Sequence, residues 1–226
     1  NMLNKLIQRI QLYKQLRVFE YLYLNYFCGQ VIRTDNSRIF PYKGSVIDLA
    51  PNAKIYLGGG DIEIGCDKLR GSHAETRVRL RDHAIWSSEG GCKISYESTV
   101  EVLHDAHLET QFFTLNSNSV VIAAKKIQFG QDVMVGRGVV IYDSDHHSIW
   151  NVQGALTNQD APIYIGDHVW LATNSTVLKG SAIGFGSVVA ANATVHGNVP
   201  PGRLYYGSTE MREHYGTWNR EHPKSE

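Results

Sequence analysis

The chain has 226 residues, 42% of them hydrophobic, with 22 basic and 22 acidic side chains. One principal domain with a sizeable core is expected, and a zero formal charge without a basic run excludes a phosphate-tracking nucleic-acid binder. Cys28, Cys66 and Cys92 are an odd number without CxxC spacing, which argues against a disulfide framework or a cysteine zinc site and fits a reducing cytoplasm.

At the N-terminal end Leu3, Leu6, Ile7, Ile10, Leu16, Phe19, Leu22 and Leu24 recur at spacings of three and four, predicting a helix from Leu3 to Phe27. Lys5, Arg9, Lys14, Arg17 and Glu20 interrupt any uncharged apolar core, so neither a signal peptide nor a spanning helix fits. The helix either packs on its own domain or lies in a membrane interface through its basic and aromatic residues, which would place the protein at the inner face of the membrane. Residues 1–40 form this helical segment, and the main domain is expected over 41–207.

Within that domain "VIDLAPNAKIYLGGGDIEIG" and "TRVRLRDHAIW" alternate apolar and polar residues as short strands do. A weak six-residue pattern led by Tyr96, Val102, Leu108, Thr114 and Val120 follows, and it slips in phase near Ala123 to Lys126. Phe129, Val135 and Ile141 then lead a clearer set. From Ile165 the sixes are unbroken: Ile165, Leu171, Val177, Ile183, Val189 and Val195 lead, and Val169, Ser175, Ser181, Ser187, Ala193 and Val199 hold the fifth place. Ile141 and Ile165 are separated by whole units, so residues 142–162 leave the repeat as a loop and rejoin it in register.

A period of six with one inward aliphatic, one small residue and frequent Gly, Asn or Asp describes short strands joined by tight turns. Three units close into a triangular coil, and coils stack at about 4.8 Å. The expected fold is an all-β parallel β-helix prism, with the N-terminal helix and the tail after Pro200 capping its open ends. Residues 208–226 are the C-terminal tail.

The run "IYIGDHVWLATNSTVLKGSAIGFGSVVAANATVHGNVPPG" resembles the closing coils of the left-handed β-helix, hexapeptide-repeat acyltransferases, including Trp170 and the Leu178-Lys179-Gly180 turn. "DSDHHSI" resembles the "SDxHxI" segment of the bacterial polysaccharide O-acetyltransferases that modify capsules, polysialic acid and O-antigens. The resemblance implies a left-handed prism, acetyl-CoA as donor, a carbohydrate hydroxyl as acceptor, and a homotrimer with sites between subunits. It implies direct transfer with His147 as general base. Histidine suits this role because the neutral ring is abundant near neutral pH and still accepts a proton.

Further roles follow from the same resemblance. Asp145 or Asp143 orients the base or caps the turn into the loop, and His146 borders the acceptor. Asn116 and Asn118 bind the sugar or serve the turn. Trp170 flanks the acetyl or pantetheine arm, with a backbone N–H near Ala172 for the developing oxyanion. Ala172, Ala190 and Ala191 contact the cofactor through their backbone, and Lys179 or Arg203 lies near its phosphates. Relatives commonly close with Gly-x-Pro-Ala-Lys where this chain has Gly207-Ser208-Thr209-Glu210-Met211.

Three other readings compete. A γ-carbonic anhydrase on the same prism would need histidines spaced to hold zinc from two coils, and no His-x4-His pair lies in the repeat. No metal is therefore expected. A non-catalytic binding module would not need a histidine-bearing loop just before "VW". An N-acetyltransferase acting on an amino-sugar nucleotide is the nearest rival.

Overall fold

The computed structural model describes residues 15–207 and 211–213. Among these, strands wind through three parallel sheets of eight, nine and seven strands, visited in turn. Tyr164 pairs with Ala182, Trp170 with Val188 and Thr176 with Thr194, each pair three hexads apart, so one coil of the closing region is three six-residue units. The leaders Phe129, Val135, Ile141, Ile165, Leu171, Val177, Ile183, Val189 and Val195 are all buried. The small residues of the fifth place are buried beside them, with Ser175, Ser181 and Ser187 fully enclosed.

The earlier coils are longer and depart from the hexad. Thr114 and Val120, expected to lead units, lie on the outside, while Phe113, Leu115 and Val121 point inward. The cause is the short corner at Gln111–Phe112 between the strands His107–Thr110 and Phe113–Leu115, which shifts the inward phase. The slip expected near Ala123 to Lys126 is a second short corner, between the strands Val120–Ala123 and Lys126–Phe129. Aromatic side chains fill the wider coils. Phe113 stacks on Phe129 at 4.8 Å, and buried Trp86 donates its indole N–H to the Thr110 hydroxyl at 3.1 Å.

The prism starts at Val31–Arg33, which pairs with Lys54–Leu57, ten residues before the expected boundary. The helix expected from Leu3 to Phe27 is also different. Its part before residue 15 lies outside the described residues. Gln15 is helical, but Leu16 then bridges to Tyr42 and the Arg17 N–H donates to the Pro41 carbonyl, so the helix is broken there, and beyond the break it runs over Val18–Leu22 with a π-turn over Tyr23–Phe27. Leu24 and Cys28 plug the first coil, whereas Phe19 is 90% exposed, so the threefold and fourfold spacing did not mark one buried stripe. At the other end Arg203–Tyr205 pairs antiparallel with Met211–Glu213, an added strand that covers the sheet edge. The rest of the C-terminal tail lies outside the described residues.

All three cysteines are free and buried. Burial pushes the Cys66 thiol up to about 12 and raises Cys92 as well, so neither offers a thiolate nucleophile at neutral pH. Among the described residues no helix is long and apolar enough to cross a membrane.

Candidate functional site

The chain leaves the prism after Val140–Tyr142, on the seven-stranded face, and rejoins at Ile163–Ile165 on the eight-stranded face. Residues 143–162 therefore project from the corner between those faces. Asp143 fastens the root. Its carboxylate accepts N–H bonds from Ala124 at 2.6 Å, Lys125 at 2.9 Å and Lys126 at 2.6 Å, in the corner one coil below. Burial pushes its pKa above the ordinary value, and the three N–H donors oppose that rise. Of the two roles open to the acidic pair, turn cap belongs to Asp143.

Asp145 does something else. Its carboxylate accepts Lys179 Nζ at 2.6 Å and Asn158 Nδ2 at 2.9 Å, and these two partners hold its pKa below the usual carboxylate range. The expected bond from Asp145 to a histidine ring is replaced by this pairing, because Leu178 stacks directly over Tyr142 and so sets Lys179 above the loop root. A carboxyl held low contributes its anchoring above the ordinary value and loses it as pH falls through the folded value. The anchor thus persists at neutral pH and releases only in acid.

Asn158 completes a clamp around His147. Its Nδ2 also donates to the His147 carbonyl at 2.7 Å, and its Oδ1 accepts the Ile149 N–H at 2.7 Å. The His147 N–H donates to the Asp145 carbonyl at 2.8 Å, and Lys179 reaches the Asn158 carbonyl at 2.9 Å. His147 is thus held through its backbone, while its side chain is exposed and its imidazole has no hydrogen-bond partner among the described residues. His146 diverges from it. With φ at 60° its ring sits edge-on to Tyr142 at 5.2 Å.

Nothing in the sequence singled out Asn158, whose role exists only once the loop folds back through the Trp150–Leu156 bridge. Asn158→Ala should leave thermal unfolding little changed and raise protease cleavage within 143–162 about tenfold, the worth of one to two ordinary hydrogen bonds in local opening. Limited proteolysis beside a thermal scan checks this.

The remaining candidates occupy a different edge. Asn116, Asn118, Ala172, Ala190 and Ala191 lie at the corner between the nine- and seven-stranded faces, and Trp170 and Arg203 lie on the nine-stranded face. Trp170 is half-buried between Met134 and Val188. The N–H groups of Ala172, expected near the oxyanion, and of Ala190, expected to contact the cofactor through its backbone, are committed to Val189 and Tyr205 carbonyls at 2.9 Å each. This is the ordinary ladder of a stacked corner. The N–H groups of Thr173 and Ala191 have no acceptor among the described residues, so the free amide lies one residue beyond Ala172. Asn116 donates both its N–H and its Nδ2 to the Val135 carbonyl at 3.0 Å, and Asn118 takes φ of 60° at the exposed corner, where asparagine tolerates the left-handed turn.

Lys179, expected near a phosphate, is drawn into the loop anchor instead. The residues best disposed to hold a metal, Asp82, His83 and His104, have ligand atoms within 4.8 Å of one another. They sit on the loop's edge two and three coils below it, away from His147.

No protein-family model matches the chain. It is 33% identical over 150 residues to a provisionally assigned acetyltransferase of Schizosaccharomyces pombe, a match covering 66% of this chain and 70% of that one. It is 39% identical over 69 residues to the polysialic acid O-acetyltransferase of Neisseria meningitidis, spanning 30% of this chain but only 32% of that relative. Among solved structures, the polysialic acid O-acetyltransferase OatWY superposes with a TM-score of 0.61 at 20% identity over 85% of this chain and 92% of its own. Repeat, prism and relatives agree, and the chain belongs to the left-handed β-helix, hexapeptide-repeat acetyltransferase family.

Proposed function

We propose that this protein is an acetyl-CoA-dependent O-acetyltransferase, acting on a hydroxyl of a surface carbohydrate at a site shared between two copies of the chain. The observation that carries the reading is His147, clamped through its backbone on the projecting loop with its imidazole open. Such a group accepts a hydroxyl proton without needing a covalent nucleophile. The donor, when bound, supplies a thioester carbon for the acceptor oxygen to attack. The described residues offer a fitting cradle. Half-buried Trp170 stands in an outward apolar column with Met134, Val188 and Leu204, suited to a pantetheine arm. The open N–H groups of Thr173 and Ala191 lie beside it as donors. Arg203 on the same face suits the phosphates. An acetyl-CoA donor suits a cytoplasmic reaction.

The shared site follows from the two edges. One chain holds His147 at one corner and the Trp170 cradle toward another, so a neighbouring copy must bring its cradle to the loop. Cyclic closure by three copies satisfies every loop, and light scattering should give three times the 25.3 kDa chain mass. A stable, active monomer would overturn the shared site. Complementation tests it directly. His147→Ala and Trp170→Ala chains, each weakened alone, should regain activity when co-expressed, because mixed oligomers contain some sites with both residues intact. If mixing restores nothing, the site lies within one chain.

A further inference from the structure

We infer that the eight-stranded face carries a binding track for an uncharged glycan chain, leading down the prism from the loop. This rests on the carbohydrate reading above and adds to it the length and charge of the acceptor. Tyr56, Ser87, Glu109, Gln128 and Tyr164 stand in one outward column, each paired in register with the next. At a strand spacing of about 4.8 Å the column spans about 19 Å, several sugar rings. The tyrosines at its two ends are 40% and 44% exposed, and flat aromatic faces are suited to stack on sugar rings.

Beside the column, toward the corner with the nine-stranded face, the surface is hollow. A groove of about 330 Å³ is bordered by Ser87, Glu89, Glu109, Gln111 and Gln128. A second of about 500 Å³, reaching Tyr56, shares Ser87 and Glu89 with it, so the two adjoin. Hydroxyl, amide and carboxylate groups there match the donors and acceptors of sugar hydroxyls. Two of the acids are already placed: Glu109 pairs with Lys126 at 2.8 Å, and Glu89 accepts Gln111 Nε2 at 2.8 Å. The charged groups that line the two grooves are these two carboxylates, and Lys126 is drawn to one of them, which disfavours a polyanion such as polysialic acid there.

Two features tie this face to the acceptor. Tyr164 follows directly where the loop rejoins the prism, so the upper end of the track abuts the segment bearing His147. The other faces carry outward apolar columns, Met134, Trp170, Val188 and Leu204 on one and Ile122, Tyr142 and Leu178 on the other. Those are the faces suited to contact between copies, which leaves the polar face in water.

The test uses the source organism's surface polysaccharide, stripped of acetyl groups and cut to graded lengths, with the full-length protein. KM should fall about tenfold between one sugar and about five. Tyr56→Ala and Gln111→Ala should abolish that gain while leaving kcat and the single-sugar KM unchanged. Calorimetric titration of the same fragments into His147→Ala protein reads the track without turnover, and Tyr56→Ala should weaken the long fragments there too. A KM independent of length, a length dependence that survives both substitutions, or tighter binding of a polysialic acid oligomer would each overturn the track. Binding with the expected length dependence but no acetyl transfer in the parent would instead sink the catalytic reading and leave the track standing.

Discussion

His147→Ala should lower turnover about 10²- to 10⁴-fold, equivalent to about 3–5 kcal/mol of barrier, the usual worth of a general base. The effect is confined to chemistry, because the clamp on residue 147 uses its N–H and carbonyl rather than its ring. Alanine keeps both groups, so oligomer mass, thermal unfolding and donor binding should match the parent. His146→Ala should cost within about tenfold, since its ring rests against Tyr142. Steady-state acetyl transfer with matched unfolding scans decides the assignment. A dead His146→Ala with a near-normal His147→Ala would move the base by one residue. Two active variants would leave the loop without a base, and with it the direct-transfer mechanism.

How much of this was legible in the sequence depends on corner length. From Ile165 to Val195 the inward positions recur every six residues, so three hexads make a coil and they can be counted; only the short His196–Gly197 corner breaks the count, setting Val199 over Ile183. Before Phe129 the corners vary. The short Gln111–Phe112 corner moved the inward phase from Thr114 to Phe113 and Leu115, which no fixed period could track. The loop was visible for the opposite reason, as an interruption that keeps register between Ile141 and Ile165. Its internal bracing was not visible. Lys179 meets Asp145 only because Leu178 stacks over Tyr142, a contact between coils that local spacing does not encode. The same cause explains Ala172 and Ala190: a resemblance names the corner, but the coil above decides which N–H is spent.

Asp143→Ala carries the largest expected cost in stability, about 3 kcal/mol. One carboxylate satisfies three backbone N–H groups in the corner below it, and its side chain is completely enclosed. Alanine leaves those donors facing a dry space, at about 1–3 kcal/mol for each one that water cannot reach. The expected fall in Tm is about 6–12 °C for a chain of this size. Asparagine should rescue only part of the loss. Oδ1 serves Ala124 while Oδ2 serves both Lys125 and Lys126, and an amide can present an oxygen to only one of these groups, turning an N–H toward the other. The order of Tm should therefore be parent, Asp143→Asn, Asp143→Ala, measured by calorimetry at neutral pH. Equal Tm for all three would show that water replaces the carboxylate at this corner. Because Asp143 begins the segment that carries His147, the same variants should also lose turnover at temperatures well below their unfolding. Asn158→Ala, by contrast, should loosen the loop without lowering Tm. Comparing the two separates the root of the loop from its brace.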